Sequence, residues 1–239
     1  MKKAIIIGAS SGIGRSLAHV LNKNGYELGL AARRLDLLTS LQKELATKTF
    51  VRQIDVTHYQ EAIIHVESLI QEMGGVDLFI INAGICFNNR NLDWKKETLT
   101  VDVNVGGFLS MTEAAMKHFL HKGKGHLVGI SSISALRGES SSPAYCASKA
   151  FVSNYLEGLR KRMFQEKKEI FITDIKPGWV DTDMAKGEET FWMATPEEAA
   201  QNIYETIVSK KAHAYVTPRW RLMAWLLKLA PNWMYDRFL

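Results

Sequence analysis

The fold this sequence predicts is a single α/β domain, a parallel sheet wound with helices on both faces. Three observations point to it. Short apolar runs alternate with longer amphipathic segments along nearly the whole chain. A glycine-rich stretch follows the first apolar run at once. The chain has 239 residues, 46% hydrophobic and 23% charged, which suits one large core. No internal repeat or low-complexity linker divides it.

Taken in order, seven runs read as strands: "KAIIIG" (3–8), "YELGLAA" (26–32), "TFVRQID" (49–55), "VDLFIINAG" (76–84), "GHLVGISS" (125–132), "EIFITDIKPG" (169–178) and "HAYVTP" (213–218). Each is short and apolar and is closed by a turn former or a polar residue. Helical patterns fill the gaps, over 12–24, 35–47, 58–73, 96–121, 143–167 and 196–210. Strict βα alternation with right-handed crossovers gives a doubly wound sheet of the Rossmann type. Ligands bind such sheets at the carboxyl ends of the strands, so the informative residues should follow strands directly. The domain is expected to span 1–218, with 219–239 as an amphipathic C-terminal extension.

Directly after the first strand comes "GASSGIG", with Gly8, Ser10, Ser11, Gly12, Ile13 and Gly14. Glycines at this spacing let the chain turn sharply and let backbone N–H groups approach a pyrophosphate at a helix N-terminus. Such a motif is also compatible with a plain tight turn, but its place between a buried strand and an amphipathic helix favours phosphate binding. The second strand ends "LAARR". An NAD site commonly places an acid here for the ribose 2′-hydroxyl; this chain has Ala32, then Arg33 and Arg34. Guanidinium groups bind a 2′-phosphate, and cations are otherwise disfavoured at the start of a helix. The expected cofactor is therefore NADP(H).

Tyr145 and Lys149 stand four residues apart near the start of a helix opened by Pro143, on one face and among small neighbours. A free phenol is a poor base at pH 7, and a nearby ammonium lowers its pKa. It can then donate a proton to an alkoxide or take one from an alcohol. By itself the pair could be a surface coincidence. Its company decides otherwise: "GASSGIG", "NAG" (82–84), "DVNVGG" (102–107), "ISS" (130–132), "YCASK" (145–149) and "PG" (177–178) occur together and in order. This set resembles the short-chain dehydrogenase/reductase family in its compact form, from about residue 3 to 218.

The resemblance implies roles. Tyr145 becomes the general acid/base. Lys149 bonds the nicotinamide ribose and lowers the tyrosine pKa. Ser132, thirteen residues before Tyr145, polarises the substrate oxygen, and Asn104 holds a water in a proton relay through the lysine. Asp55 would bond the adenine amino group, with Val56 beside it. Asn82, Ala83 and Gly84 would lie along the cofactor. Pro177, Gly178, Val180 and Thr182 would flank the nicotinamide, with Thr182 near the carboxamide or a phosphate. Two departures are expected to cost a hydrogen bond each between phosphate loop and fourth strand: Ile7 stands where the family often has Thr or Ser, and Ile81 where it often has Asn.

The implied activity is NADPH-dependent reduction of a ketone or aldehyde. The alternatives are a non-catalytic NADP(H)-binding redox sensor, against which the intact Ser–Tyr–Lys–Asn set argues, and an NAD-linked alcohol dehydrogenase, against which the arginines argue. The family also implies a homodimer or homotetramer paired through helices 96–121 and 143–167.

Other features set limits. Cys86 and Cys146 are far apart in core-like sequence, as in a reducing compartment. The start, "MKKAIIIGAS", is too short an apolar run for a signal peptide, and no run is long enough to span a bilayer, so a cytoplasmic location is expected. His118, His121 and His126 surround a glycine-rich turn; their spacing fits no standard metal site, so no metal is expected and a solvated helix end is. The net charge is +5, of which +3 lies in residues 219–239, where Arg219, Arg221, Lys228 and Arg237 face only Asp236. The nearly neutral body excludes a nucleic-acid surface. In the segment 183–195, Met184, Phe191, Trp192 and Met193 either cover an apolar ligand or pack on the next helix. In the tail, Leu222, Trp225, Leu226 and Leu229 lie on one helical face, and Pro231 opens a second short helix. That face is expected to pack on the protein's own core or on a subunit partner, with weak membrane-surface contact as the alternative.

Overall fold

The computed structural model describes residues 2–185 and 191–238. Seven parallel strands form one sheet in the order β3-β2-β1-β4-β5-β6-β7. They are β1 (Lys3–Ile7), β2 (Glu27–Ala32), β3 (Thr49–Gln53), β4 (Leu78–Ile81), β5 (Lys124–Ile130), β6 (Glu169–Pro177) and β7 (His213–Val216). The connecting helices are α1 (Gly12–Lys23), α2 (Leu35–Glu44), α3 (Tyr59–Glu72), α4 (Trp94–Val101), α5 (Gly107–Lys122), α6 (Pro143–Gln165) and α7 (Pro196–Val208). After β7 come α8 (Trp220–Leu229) and α9 (Asn232–Phe238).

The central strands are apolar throughout because both faces of the sheet are covered. Side chains alternate along β1: Ile5 and Ile7 enter a core with Phe79, Val66 and Phe108, while Ala4 and Ile6 enter a second core with Leu17, Leu38 and Ile203. The first core lies under α3, α5 and α6, the second under α1, α2 and α7. The strand order reverses between β1 and β4, which puts the switch point at the carboxyl ends of those two strands.

The long helix expected over 96–121 is two helices joined by a π turn, Asp102–Gly106. Gly106 and Gly107 lie at this wide turn. A Cβ on Gly106 would come within 2.3 Å of the Tyr59 hydroxyl, and one on Gly107 within 2.7 Å of Val56. Their bare backbones admit α3 and the segment after β3 closely enough to hold the turn in place.

Two of the three histidines differ from the expected solvated end, while His121 is exposed at the end of α5 as expected. His126 is buried in β5, with Nε2 2.8 Å from the Thr173 hydroxyl, and burial pushes its pKa down to about 4. Nε2 of His118 lies 3.2 Å from the backbone of Val76. Both serve packing: His126 lies within β5, and His118 on α5 faces the turn that precedes β4. Among the described residues no group of three or more His, Cys, Asp and Glu converges on a metal position.

Candidate active site

The phosphate loop folds as its glycines demand. Gly8 has φ +87, and a Cβ there would stand 2.7 Å from the backbone N of Ala83. A Cβ on Gly14 would stand 2.1 Å from the Gly8 carbonyl oxygen. Only glycine permits this crowding. The loop is tied to the fourth strand by Asn82, whose Nδ2 donates to the Gly8 carbonyl at 2.9 Å and whose backbone N donates to Ile7 O at 2.9 Å. Ile7 and Ile81 pair directly in the sheet and are both buried in the core. Apolar packing stands where the side-chain hydrogen bonds were expected to be missed.

Around this loop the structure gathers most of the expected cofactor residues. Arg34 donates to the hydroxyls of Ser10 (3.0 Å) and Ser11 (2.7 Å), which places a guanidinium over the loop. Arg33 projects from the neighbouring turn, and its charge reaches Asp55. Burial by itself would raise the Asp55 pKa, but bonds from the Thr57 N–H (3.0 Å) and hydroxyl (2.8 Å), with Arg33, bring it below the ordinary carboxylate value. Asp55 is therefore an ionised acceptor already engaged in a local turn. Val56 is different: its side chain is buried under Gly107, so it offers a binding site only its main chain. Thr182 belongs with the phosphate loop, since its methyl lies 3.0 Å from where a Gly12 Cβ would be. Val180 is buried and bridges to Ala194, and Ile13 packs on the core. The loop thus offers a cradle that a Cβ would fill, hydroxyls and a nearby guanidinium, and this donor set fits a dinucleotide phosphate.

The reaction centre lies at the carboxyl ends of β4, β5 and β6. Lys149 is buried and its Nζ donates to the Ile130 carbonyl at 2.9 Å. Burial pushes its pKa down to about 8, while Cys86 and Asp174 act in the opposite sense. The ammonium is 5.7 Å from the centre of the Tyr145 ring. Tyr145 sits against the Ser132 hydroxyl, and part of its surface stays open to the cleft. Its pKa is raised above 10 by burial, with a hydrogen bond from Ser132 opposing. Desolvation of the phenol sets this direction in the chain alone, where the Lys149 ammonium is bonded to a backbone carbonyl. Such a phenol keeps its proton at neutral pH and suits the role of acid.

Asn104 lies in the π turn. Its Oδ1 accepts from Ile85 N (2.9 Å), and its Nδ2 donates to Ile85 O (2.9 Å) and to the Ser148 hydroxyl (3.0 Å). The side chain is thereby a brace between α6 and the segment after β4 that carries Gly84. A Cβ on Gly84 would meet Lys149 Nζ at 3.1 Å, so the bare glycine lets the lysine pass.

Several contributors were not anticipated. Ser131 donates to Asp174 Oδ1 (2.5 Å), Ser153 donates to Oδ2 (2.7 Å), and Lys176 forms a buried ion pair with the same carboxylate. This buried network lies behind Ser132 and Lys149 and supplies negative charge to the lysine. Asp174 and Lys176 alternate within "ITDIKPG", and two charges inside a central strand were the available signal. Cys86 is near the pair as well; burial pushes its thiol up to about 11, so it stays protonated. Ser142 lies near both thiols, and its hydroxyl donates to Glu139 Oε2 at 2.9 Å.

The tail packs beside the site. A Cβ on Gly178 would strike the Trp220 ring, so the start of α8 sits directly on the Pro177–Gly178 segment. Phe191 and Trp192 pack on Trp220, with ring centres 5.4 and 5.9 Å away, and Arg219 donates to the Trp192 and Met193 carbonyls. These residues of the 183–195 segment therefore meet α8 rather than the next helix; positions 186–190 lie outside the described residues. Arg137 clamps the far end of α8, donating to Leu227 O (3.0 Å), Ala230 O and Asn232 Oδ1 (2.9 Å). The predicted face of Leu222, Trp225, Leu226 and Leu229 does not pack on the domain's own core; all four are exposed on it, and Trp220 and Ala224 are buried instead. The close approach to bare Gly178 and the clamp by Arg137 select the other side of the helix. A concavity of about 500 Å³ between α3, α5 and α6 includes neither Ser132, Tyr145 nor Lys149 and is separate from the site.

Comparison with known proteins agrees with this geometry. The family model described as short chain dehydrogenase matches residues 2–191. An uncharacterized oxidoreductase of Myxococcus xanthus is 33% identical over 245 residues, covering 98% of this chain and 95% of its own. Another, from Mycobacterium tuberculosis, is 34% identical over 228 residues, covering 92% and 89%. Among solved structures, a variant of actinorhodin polyketide ketoreductase with NADPH aligns at a TM-score of 0.81 with 24% identity, over 96% of this chain and 98% of that one. A short-chain dehydrogenase/reductase of Burkholderia phymatum in complex with NAD aligns at 0.86 with 20% identity, over 94% and 92%. At these identities the two structures speak for the fold.

Proposed function

The chain belongs to the short-chain dehydrogenase/reductase family and is an oxidoreductase; from that premise we propose that it reduces a ketone or aldehyde to an alcohol with NADPH. The observation that carries this reading is the grouping of Ser132, Tyr145 and a buried Lys149, whose ammonium lies 5.7 Å from the centre of the Tyr145 ring, at the carboxyl ends of the strands. The nicotinamide supplies the hydride when bound. Tyr145, whose pKa burial raises, holds a proton at neutral pH and gives it to the carbonyl oxygen. Ser132 donates a hydrogen bond to the same oxygen as negative charge develops there. Lys149 stays fixed by Ile130 O and stabilises the phenolate left behind, which regains a proton from solvent. Asn104 acts through its brace on Ile85 and Ser148 and keeps α6 in register with Gly84.

Preference for NADPH rests on charge. No acid ends β2, and Arg34 already lies on the Ser10 and Ser11 hydroxyls, with Arg33 beside it. An apolar substrate is supported by the cluster of Phe191, Trp192 and Trp220 against Gly178. The test is a titration of NADPH and NADH on the wild type and on R33A/R34A, followed by turnover with diverse carbonyl compounds. Charge-assisted bonds contribute about 1.5–3 kcal/mol each, so NADPH affinity should fall by roughly a hundredfold or more while NADH changes little. Equal losses for both cofactors would show that the arginines do not read the 2′-phosphate.

A further inference from the structure

Helix α8 carries two apolar arcs, and the domain uses one. The inner arc, Trp220 and Ala224, is buried on the Gly178 side. The outer arc is exposed: Leu222 60%, Trp225 60%, Leu226 48% and Leu229 61%, with Trp233 of α9 at 68%. At 100° per residue the outer residues lie opposite Trp220 and Ala224, and Arg221 and Lys228 fall together on one flank. Residues 206–235 contain five cations, Lys210, Lys211, Arg219, Arg221 and Lys228, and no Asp or Glu.

We propose that this outer arc is a docking surface for an anionic lipid membrane, with α8 lying in the plane of the interface. Leucines and indoles would enter the boundary between headgroups and acyl chains, and the flanking Arg221 and Lys228 would meet lipid phosphates and carboxylates. Charge selects this occupant over a second copy of the chain. A two-fold contact through α8 would set Arg221 and Lys228 against their own copies, and the helix carries no acid to answer them. The helix does not span the bilayer: among the described residues none is long and apolar enough to cross a membrane. Its inner arc stays docked, held by Arg137 at Leu227 and Ala230, so the surface is presented rigidly and needs no unfolding of the tail. One short helix binds lipid reversibly. The proposal is independent of the reaction, because no outer-arc residue touches the catalytic groups.

The experiment is co-sedimentation of the full chain with vesicles of mixed phosphatidylserine and phosphatidylcholine and, as a control, with phosphatidylcholine alone. Two cations at a charged surface should give a partition at least roughly tenfold higher on the anionic vesicles, lost at high salt. W225D/L229D should abolish sedimentation while leaving the unfolding temperature and the turnover of a water-soluble carbonyl unchanged. R221E/K228E should remove the preference for anionic vesicles. The proposal is overturned if the wild type stays in the supernatant, or if R221E/K228E keeps the preference. It is equally overturned if light scattering shows that W225D/L229D splits an oligomer of the wild type, since the arc would then be covered by a second copy.

Discussion

Replacing Lys149 with methionine should make the cofactor-free protein more stable while destroying its activity. The reason is the place of the ammonium. Lys149 is 5% exposed, and its pKa falls from 10.5 to about 8 because burial penalises the charged form. That fall corresponds to roughly 3 kcal/mol carried by the charge. Because the folded value lies below the unfolded one, the unfolded chain binds more protons between about pH 8 and 10.5. Stability therefore rises with pH across that window, and the full cost is present below pH 8. Methionine keeps most of the volume and removes the charge, but it leaves the Ile130 carbonyl without its donor, at a cost of about 1–2 kcal/mol. The net gain is about 1–2 kcal/mol, or roughly 2–8 °C in Tm for a chain of this size. Thermal unfolding without cofactor, followed by circular dichroism, measures it at pH 7 and again at about pH 9.5, below the range where Tyr145 ionises. The variant should be ahead at pH 7, and the gap should narrow at the higher pH. A variant less stable than the wild type at pH 7, or a gap that ignores pH, would refute the reasoning and show that the ammonium is a net stabiliser of the fold.

Two further outcomes are expected. Tyr145→Phe should leave NADPH binding unchanged and lower turnover by about 10²–10⁴, because only the proton donor is removed; near-wild-type turnover on any accepted substrate rules the mechanism out. Arg137→Ala should release the C-terminal end of α8, since its bonds to Leu227 O, Ala230 O and Asn232 are lost together. Limited proteolysis should then cut within 219–239 well before the rest of the chain, with NADPH affinity unaltered; equal resistance of mutant and wild type would mean that Trp220 seats the tail by itself.

Much of the fold and the site was legible without coordinates. Apolar runs such as Ala4–Ile7 must be covered on both faces, and alternation with amphipathic helices leaves a parallel sheet as the way to do it. Gly8 and Gly14, and the pair Tyr145 and Lys149, declare themselves through fixed local spacing, since a turn or one helical step brings each set together. What the sequence could not contain was any quantity that depends on residues distant in the chain. Asp174 and Lys176 became part of the site only when β6 closed against β5 and brought Ser131 and Ser153 onto one carboxylate. The direction of the Tyr145 shift in the chain alone is set by how much water the surrounding elements remove, which its spacing from Lys149 does not contain. The periodicity of α8 identified an apolar arc, but the side that the domain itself buries is the other one, because periodicity locates a stripe and cannot say what approaches it. That was decided by the missing side chain of Gly178 and by Arg137, forty-two and eighty-three residues before Trp220. Local spacing fixes which groups share a turn or a helix face; burial, charge balance and the choice of face arise only from packing between elements, and only the tertiary structure contains it.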